Sequence, residues 1–244
     1  MKEFQGLVAA VTGGAGGIGA ATAALLTERG ATTVVLDRTA PDTPHPYIRC
    51  DITDDDAVAA AMRTLADDHG RLDVLVNNAG IGAKGDVTAN NREEWHRILD
   101  VNVVSMARIT AAALPLLRRS DHAAVVNVSS VVALAGVRNR ALYSATKGAV
   151  LSMTLAMAAD HVKEGIRVNC VTPGTVDTPW IGRLLSTAPD PEAESRALRT
   201  RQPLGRLVTP EEVAHAITYL ASPLSASTTG SALAVDGGMA TLKV

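Results

Sequence analysis

The sequence predicts a single α/β domain: a Rossmann-type, doubly wound parallel sheet of about seven strands with helices on both faces. Three observations predict it. Short apolar runs alternate with helix-like stretches from one end to the other. A glycine-rich turn joins the first such run to the first helix. No linker, internal repeat or shift in composition divides residues 1–244.

Leu7-Val8-Ala9-Ala10-Val11 is an apolar run ended by turn residues, as a buried parallel strand should be. Thr12 to Gly19 forms the glycine turn, and Ala20 to Glu28 is an alanine-rich helix closed by Gly30. Thr32 to Leu36 is a second strand ending on Asp37, with Arg38 beside it. The glycine spacing is G-x-x-x-G-x-G through Gly13, Gly17 and Gly19. Glycines there let backbone N–H groups approach a pyrophosphate at a helix N-terminus. Asp37 lies about 20 residues beyond Gly17, where a carboxylate can bind a ribose 2′-hydroxyl. The competing reading is a plain glycine-rich turn, which strand, helix and acid in register argue against. Three prolines mark residues 40–46 as a loop. Tyr47 to Cys50 is a third strand with Asp51 and Ile52 at its end. Asp51 either accepts from an adenine amine or caps the helix Asp54 to Asp67, a task Thr53 also suits. Leu72 to Val76 is the fourth strand. It leads into Asn77-Asn78-Ala79-Gly80, whose amides can fix the backbone near a nicotinamide ribose.

Arg92 to Leu117 reads as one long helical region broken near Pro115. Asn102 is out of pattern among Val101, Val103 and Val104. It is either a buried amide satisfied by backbone or a kink holding a proton-relay water. Ala123 to Val128, the fifth strand, delivers Ser129-Ser130. Tyr143 and Lys147 are four apart and share a helix face. An ammonium beside a phenol favours the phenolate, so the Tyr143 pKa is expected to fall from about 10 toward the range of a general base. With a serine hydroxyl at the same spot, these groups suit proton transfer at a carbonyl or alcohol, half of a hydride-transfer reaction. Arg167 to Val171 is the sixth strand, running into Thr172 to Pro179. Trp180 to Arg201 is polar, proline-marked and amphipathic, which suits a substrate lid over about residues 180–205. Pro210 to Ala221 is a helix opened by a capping box of Thr209 and Glu212. Ala232 to Val235 is the last strand, before Asp236-Gly237-Gly238.

Composition narrows the function. A net charge of −2 offers no basic field for nucleic acid, and an aromatic fraction of 2% offers no platform for base stacking. The chain is 47% apolar, yet no run approaches a membrane span. Cys50 and Cys170 form no spaced framework and read as buried free thiols of a reducing compartment. No secretory segment and no metal-ligand spacing is visible, so a cytoplasmic location and no metal are expected.

In these residues the chain resembles the short-chain dehydrogenase/reductase family over nearly its whole length. The matching positions are Thr12-Gly13-x-x-x-Gly17-x-Gly19, Asp51, Asn77-Asn78-Ala79-Gly80, Asn102, Ser130, Tyr143-x-x-x-Lys147, Pro173-Gly174 and Asp236-Gly237-Gly238. The resemblance implies a catalytic tetrad of Asn102, Ser130, Tyr143 and Lys147, and a homotetramer. It implies a nicotinamide cofactor, NAD, held by Gly13, Gly17, Ile18, Gly19, Asp37, Arg38, Asp51, Ile52, Asn78, Ala79 and Gly80. Tyr143, Lys147, Pro173, Gly174, Thr175, Val176 and Thr178 complete that set. A narrower likeness runs through Gly136 to Tyr143, Pro173 to Pro179 and Arg201-Gln202-x-x-Gly205-Arg206. These stretches are similar to type 2 3-hydroxybutyrate dehydrogenases and 2-keto-3-deoxy-L-fuconate dehydrogenases. That likeness implies a small acidic substrate held by Arg140 and Arg201. Trp180 and Arg183 are added as substrate residues, Arg183 one place off the pattern. The alternatives are a 3-oxoacyl-carrier-protein or general ketone reductase, and a non-catalytic dinucleotide sensor, which intact Tyr143 and Lys147 disfavour.

Overall fold

A computed structural model describes residues 2–186 and 188–243; Met1, Val244 and Thr187, the last inside the expected lid, lie outside the described residues. Seven strands form one sheet: β1 (Val8–Thr12), β2 (Thr32–Asp37), β3 (Tyr47–Arg49), β4 (Val74–Asn77), β5 (Ala124–Val128), β6 (Arg167–Pro173) and β7 (Ala232–Val235). Their order is β3-β2-β1-β4-β5-β6-β7, and every pairing is parallel. The order reverses between β1 and β4. A crevice therefore opens there, beyond the carboxyl ends of the strands.

The central strands are buried on both faces, which is why they read as unbroken apolar runs rather than alternating ones. α1 (Gly17–Glu28) and α8 (Pro210–Ala221) cover one face, packing Leu26, Ile217 and Leu220 with Val35, Val76 and Val126. α2 (Asp55–His69), α4 (Ser105–Leu117) and α5 (Ala141–His161) cover the other, packing Leu65, Ile109 and Leu117 with Leu75 and Val125. α3 (Arg92–Leu99) precedes α4. Two short helices, α6 (Pro179–Ser186) and α7 (Pro191–Thr200), occupy the expected lid stretch.

Several local expectations change. The long helical region breaks at a π-turn over Asp100–Val104, not near Pro115, which rides inside α4. The turn widens where the buried Asn102 side chain bonds out of the helix to the loop after β4. Asp54, not Asp51 or Thr53, caps α2: its Oδ1 accepts from the N–H groups of Asp56 and Ala57 at 2.9 and 3.0 Å. The helix then runs to His69 and ends on left-handed Gly70. Thr209 and Glu212 do form the expected capping box of α8. By length and composition the 26-residue helical stretch Arg92–Leu117 meets the minimum for a membrane span, a minimum that core helices also meet, and charged residues interrupt its apolar run. Here it lies against the sheet, and Arg108 ties it to Asp55, Asp100 and the Ile52 carbonyl.

Candidate active site

A cavity of about 870 Å³ lies at the carboxyl ends of the strands, astride the β1/β4 crevice. It begins at Gly13, Gly17 and Ile18, beside Asp37, Arg38, Asp51 and Ile52. Asn78, Ala79 and Gly80 form one wall of its middle, and Pro173, Gly174, Thr175, Val176 and Thr178 the other. Ser130, Tyr143 and Lys147 stand at the far end, with Arg140, Trp180, Arg183 and Arg201. Two expected site residues, Gly19 and Asn102, stand behind its wall.

The first end fits a dinucleotide. α1 opens at Gly17 with Gly16 as N-cap, and no side chain caps its free N–H groups. The helix terminus is left available to an anion. Gly17 has φ of 54°, a conformation a side chain disfavours. Gly19 serves packing instead: a Cβ there would lie 2.2 Å from the Gly13 carbonyl oxygen and 2.5 Å from Asn78 Nδ2. At the tip of β2, Asp37 Oδ2 accepts from Ala15 N–H at 3.1 Å, and Oδ1 accepts from the Thr39 N–H and hydroxyl. Arg38 leans away toward Asp51, 4.0 Å distant, with its side chain 75% exposed. Asp51 itself accepts from the Thr53 N–H and hydroxyl, which hold its carboxyl below the usual range.

At the far end, Tyr143 and Lys147 occupy the first two turns of α5. Lys147 is buried; its Nζ donates to the Val128 carbonyl at 2.8 Å and lies 5.8 Å from the Tyr143 ring centre. Burial pulls its pKa down to about 8. The Tyr143 pKa is raised, not lowered as expected. Desolvation of the phenolate outweighs a hydrogen bond with Ser130 and the charge of Arg140, which both act the other way. Ser130 follows β5 directly, and the neighbouring Ser129 hydroxyl donates to the Lys147 carbonyl at 2.8 Å, fastening α5 to that strand. Asn102 clamps the loop after β4: Oδ1 accepts from Ile81 N–H, and Nδ2 donates to the Ile81 carbonyl, both at 2.8 Å. Nδ2 also donates to the Thr146 hydroxyl at 3.1 Å. Asn102 is thus a buried amide satisfied chiefly by backbone, standing in the break of the helix.

Arg140 follows Asn139, which has φ of 57°, a turn conformation asparagine tolerates. Its guanidinium reaches back to the carbonyls of Ala83 and Asn139 at 3.3 and 3.4 Å. Burial lowers its pKa, and the charge of Arg201 lowers it further, against opposing effects of Tyr143 and Glu194. The charge of Arg201 therefore reaches Arg140 beside the phenol. Trp180 lies over Gly82, where an added Cβ would fall 2.7 Å from the indole Cζ2. Gly82, Arg97, Leu198 and Met239 also line the cavity. Sequence reasoning missed them because none belongs to a spaced motif; only chain crossings bring α3, α7 and the C-terminal turn to this crevice.

A family model described as enoyl-(acyl carrier protein) reductase matches residues 13–240. A cis-4-hydroxycyclohexanecarboxylate dehydrogenase of Sinomonas cyclohexanicum is 42% identical over 97% of this chain and 98% of its own. A 3-oxoacyl-(acyl-carrier-protein) reductase of Thermotoga maritima is 34% identical over 97% and 99%. The aldohexose dehydrogenase of Thermoplasma acidophilum superposes with a TM-score of 0.94 at 33% identity, covering 99% of this chain and 97% of that one. With the parallel sheet and the Ser130, Tyr143 and Lys147 cluster at its crevice, these likenesses make the chain a member of the short-chain dehydrogenase/reductase family, an oxidoreductase acting on hydroxyl or keto groups of small substrates.

Proposed function

We propose that the protein is an NAD-dependent dehydrogenase of a small hydroxy acid. The observation that carries this reading is the pair of arginines, Arg140 and Arg201, lining the same end of the cavity as Tyr143, close enough that the charge of Arg201 acts on Arg140. An anion between them would relieve that repulsion, and the planar fork of arginine suits a carboxylate. A dinucleotide fits the other end, at the open terminus of α1 and the Asp37 carboxylate. Nicotinamide, when bound, supplies the hydride acceptor. Ser130 holds the carbinol oxygen, and Tyr143 as phenolate takes its proton. Ser130 and Arg140, rather than the expected Lys147, favour that ionised form, and Lys147 passes the proton on toward a water beside the π-turn at Asn102. Trp180 and α6–α7 act as the lid that excludes bulk water. Asp37 supports NAD over NADP, because its carboxylate repels a 2′-phosphate while Arg38 is drawn toward Asp51. The subgroup likeness puts a 2-keto-3-deoxy sugar acid such as 2-keto-3-deoxy-L-fuconate first, ahead of 3-hydroxybutyrate. The name of the Sinomonas relative adds cis-4-hydroxycyclohexanecarboxylate.

The test is a panel of these acids with their amides or esters, followed by NADH absorbance with both cofactors. The acids should react far better than the neutral analogues, and NAD better than NADP. Loss of one charged arm costs a few kcal/mol. Arg140→Ala should therefore raise KM for the acid by orders of magnitude and leave that for NAD nearly unchanged. Equal turnover of an amide would remove the carboxylate from the reading.

A further inference from the structure

Gln202 is a buried glutamine, 1% exposed, at the root of α7, one residue past Arg201. Its Oε1 accepts from Thr175 N–H at 3.1 Å. Its Nε2 donates to the Thr175 carbonyl at 3.4 Å and to the Arg206 carbonyl at 2.6 Å. Both peptide groups of Thr175 thus meet one side-chain amide, as they would meet a neighbouring strand. Val208 N–H adds a bond to the same Thr175 carbonyl at 3.0 Å. A Cβ on Gly174 would lie 2.2 Å from Gln202 Oε1 and 3.0 Å from Asp236 Cα, so residue 174 is glycine because the amide and the backbone just after the last strand fill that space. Thr175 and its neighbours line the middle of the cavity, whereas Arg201 and Leu198 line its substrate end. No other side chain hydrogen-bonds the Thr175 backbone among the described residues.

We propose that Gln202 is a positioning residue that couples the two halves of the site. It ties the Gly174–Val176 segment to the root of the lid that carries Arg201. A cofactor that orders this segment places Arg201 for the acid, and by linkage the acid tightens the cofactor in the same ratio. The acid as ligand rests on the function proposed above; the coupling needs only a substrate at that end of the cavity.

The experiment is an equilibrium one on the whole enzyme. NADH with the alcohol form of the substrate gives a ternary complex that cannot turn over, so NADH affinity is read by its fluorescence with and without saturating alcohol. The probe is cis-4-hydroxycyclohexanecarboxylate, replaced by whichever panel alcohol turns over best. In the wild type the alcohol should tighten NADH by about 5-fold or more. In Gln202→Met that factor should fall toward one, while NADH affinity in the absence of alcohol stays close to wild type. A merely structural glutamine would lower the melting temperature and leave the factor intact. Where Gln202→Met does not fold, Gln202→Glu keeps the acceptor for Thr175 N–H but sets a carboxylate against two carbonyls, and its factor should also fall. An uncoupled wild type, or a folded variant that keeps the wild-type factor, overturns the proposal. If Arg201→Ala leaves the acid KM unchanged, the acid reading falls, and the coupling is still decided with the best neutral alcohol.

Discussion

Tyr143 carries a burden that its spacing from Lys147 does not reveal. A tyrosine four residues from a lysine is legible in any sequence, and so is a serine at the end of an apolar run. The direction of the pKa shift is not legible, because it depends on how much water the phenol keeps. Here burial raises it, while Ser130 and Arg140 pull it back. Alcohol oxidation needs the phenolate, so its rate should climb as pH rises toward that raised pKa, and ketone reduction should decline over the same range. Arg140→Ala removes one of the two lowering influences. Its oxidation limb should therefore move to higher pH, beyond its effect on KM, as a pH–rate profile at saturating acid will show. Tyr143→Phe should lose most turnover and still bind NADH, since the phenol hydroxyl faces the reaction; stopped turnover with intact fluorescence titration is the expected pair of readings.

Helix boundaries show the same division between what patterning carries and what it cannot. Thr209 and Glu212 are read directly, because a capping box is local chemistry. Among Asp51, Thr53 and Asp54 the pattern gives no choice, since each could accept the same N–H groups and tertiary position decides. The π-turn at Asp100–Val104 is invisible for a like reason: its cause, Ile81, lies 21 residues away in sequence. Asn102→Ala leaves both Ile81 peptide groups without their partner in a partly buried loop. That should cost about 2–3 kcal/mol of stability, seen as a lowered melting temperature. It should also lower kcat more than it changes KM for NAD, because Gly80 lies close both to that amide and to Lys147: a Cβ on Gly80 would lie 3.2 Å from Asn102 Oδ1 and 3.5 Å from Lys147 Nζ.

Over the whole molecule, alternation of strands and helices is enough for the parallel sheet, and the glycine motif with its acid is enough to mark residues that line one end of the crevice. What no motif marks is the amino-terminal end of the central strands. Asp73 is 1% exposed at the start of β4, and its carboxylate gathers three elements. It accepts from Val8 N–H at 2.7 Å, from the Ser120 hydroxyl at 2.5 Å and from Arg71 Nε at 3.1 Å. Asp73→Ala should destabilise the fold by about 3 kcal/mol, a lower urea midpoint with unchanged KM values for the enzyme that remains folded. Met106, Ile109, Ala113 and Leu117 of α4 are buried within the subunit, whereas Leu155 on α5 and Val104 of the π-turn are about half exposed. We propose a homotetramer assembled through the α5 side, a mass that light scattering at micromolar protein reads directly.

The packing of Trp180 on Gly82 has an optical consequence. The chain holds two tryptophans, and Trp180 is the one on the cavity wall. Indole emission overlaps the absorption of reduced nicotinamide, so with such a cofactor bound as proposed this residue would be a built-in energy-transfer donor to it. In a Trp95→Phe background, the donor signal would come from α6 alone. Each departure of that helix from Gly82 would then be recorded as a change in transfer, on the millisecond scale of a stopped-flow mixer, with no dye attached.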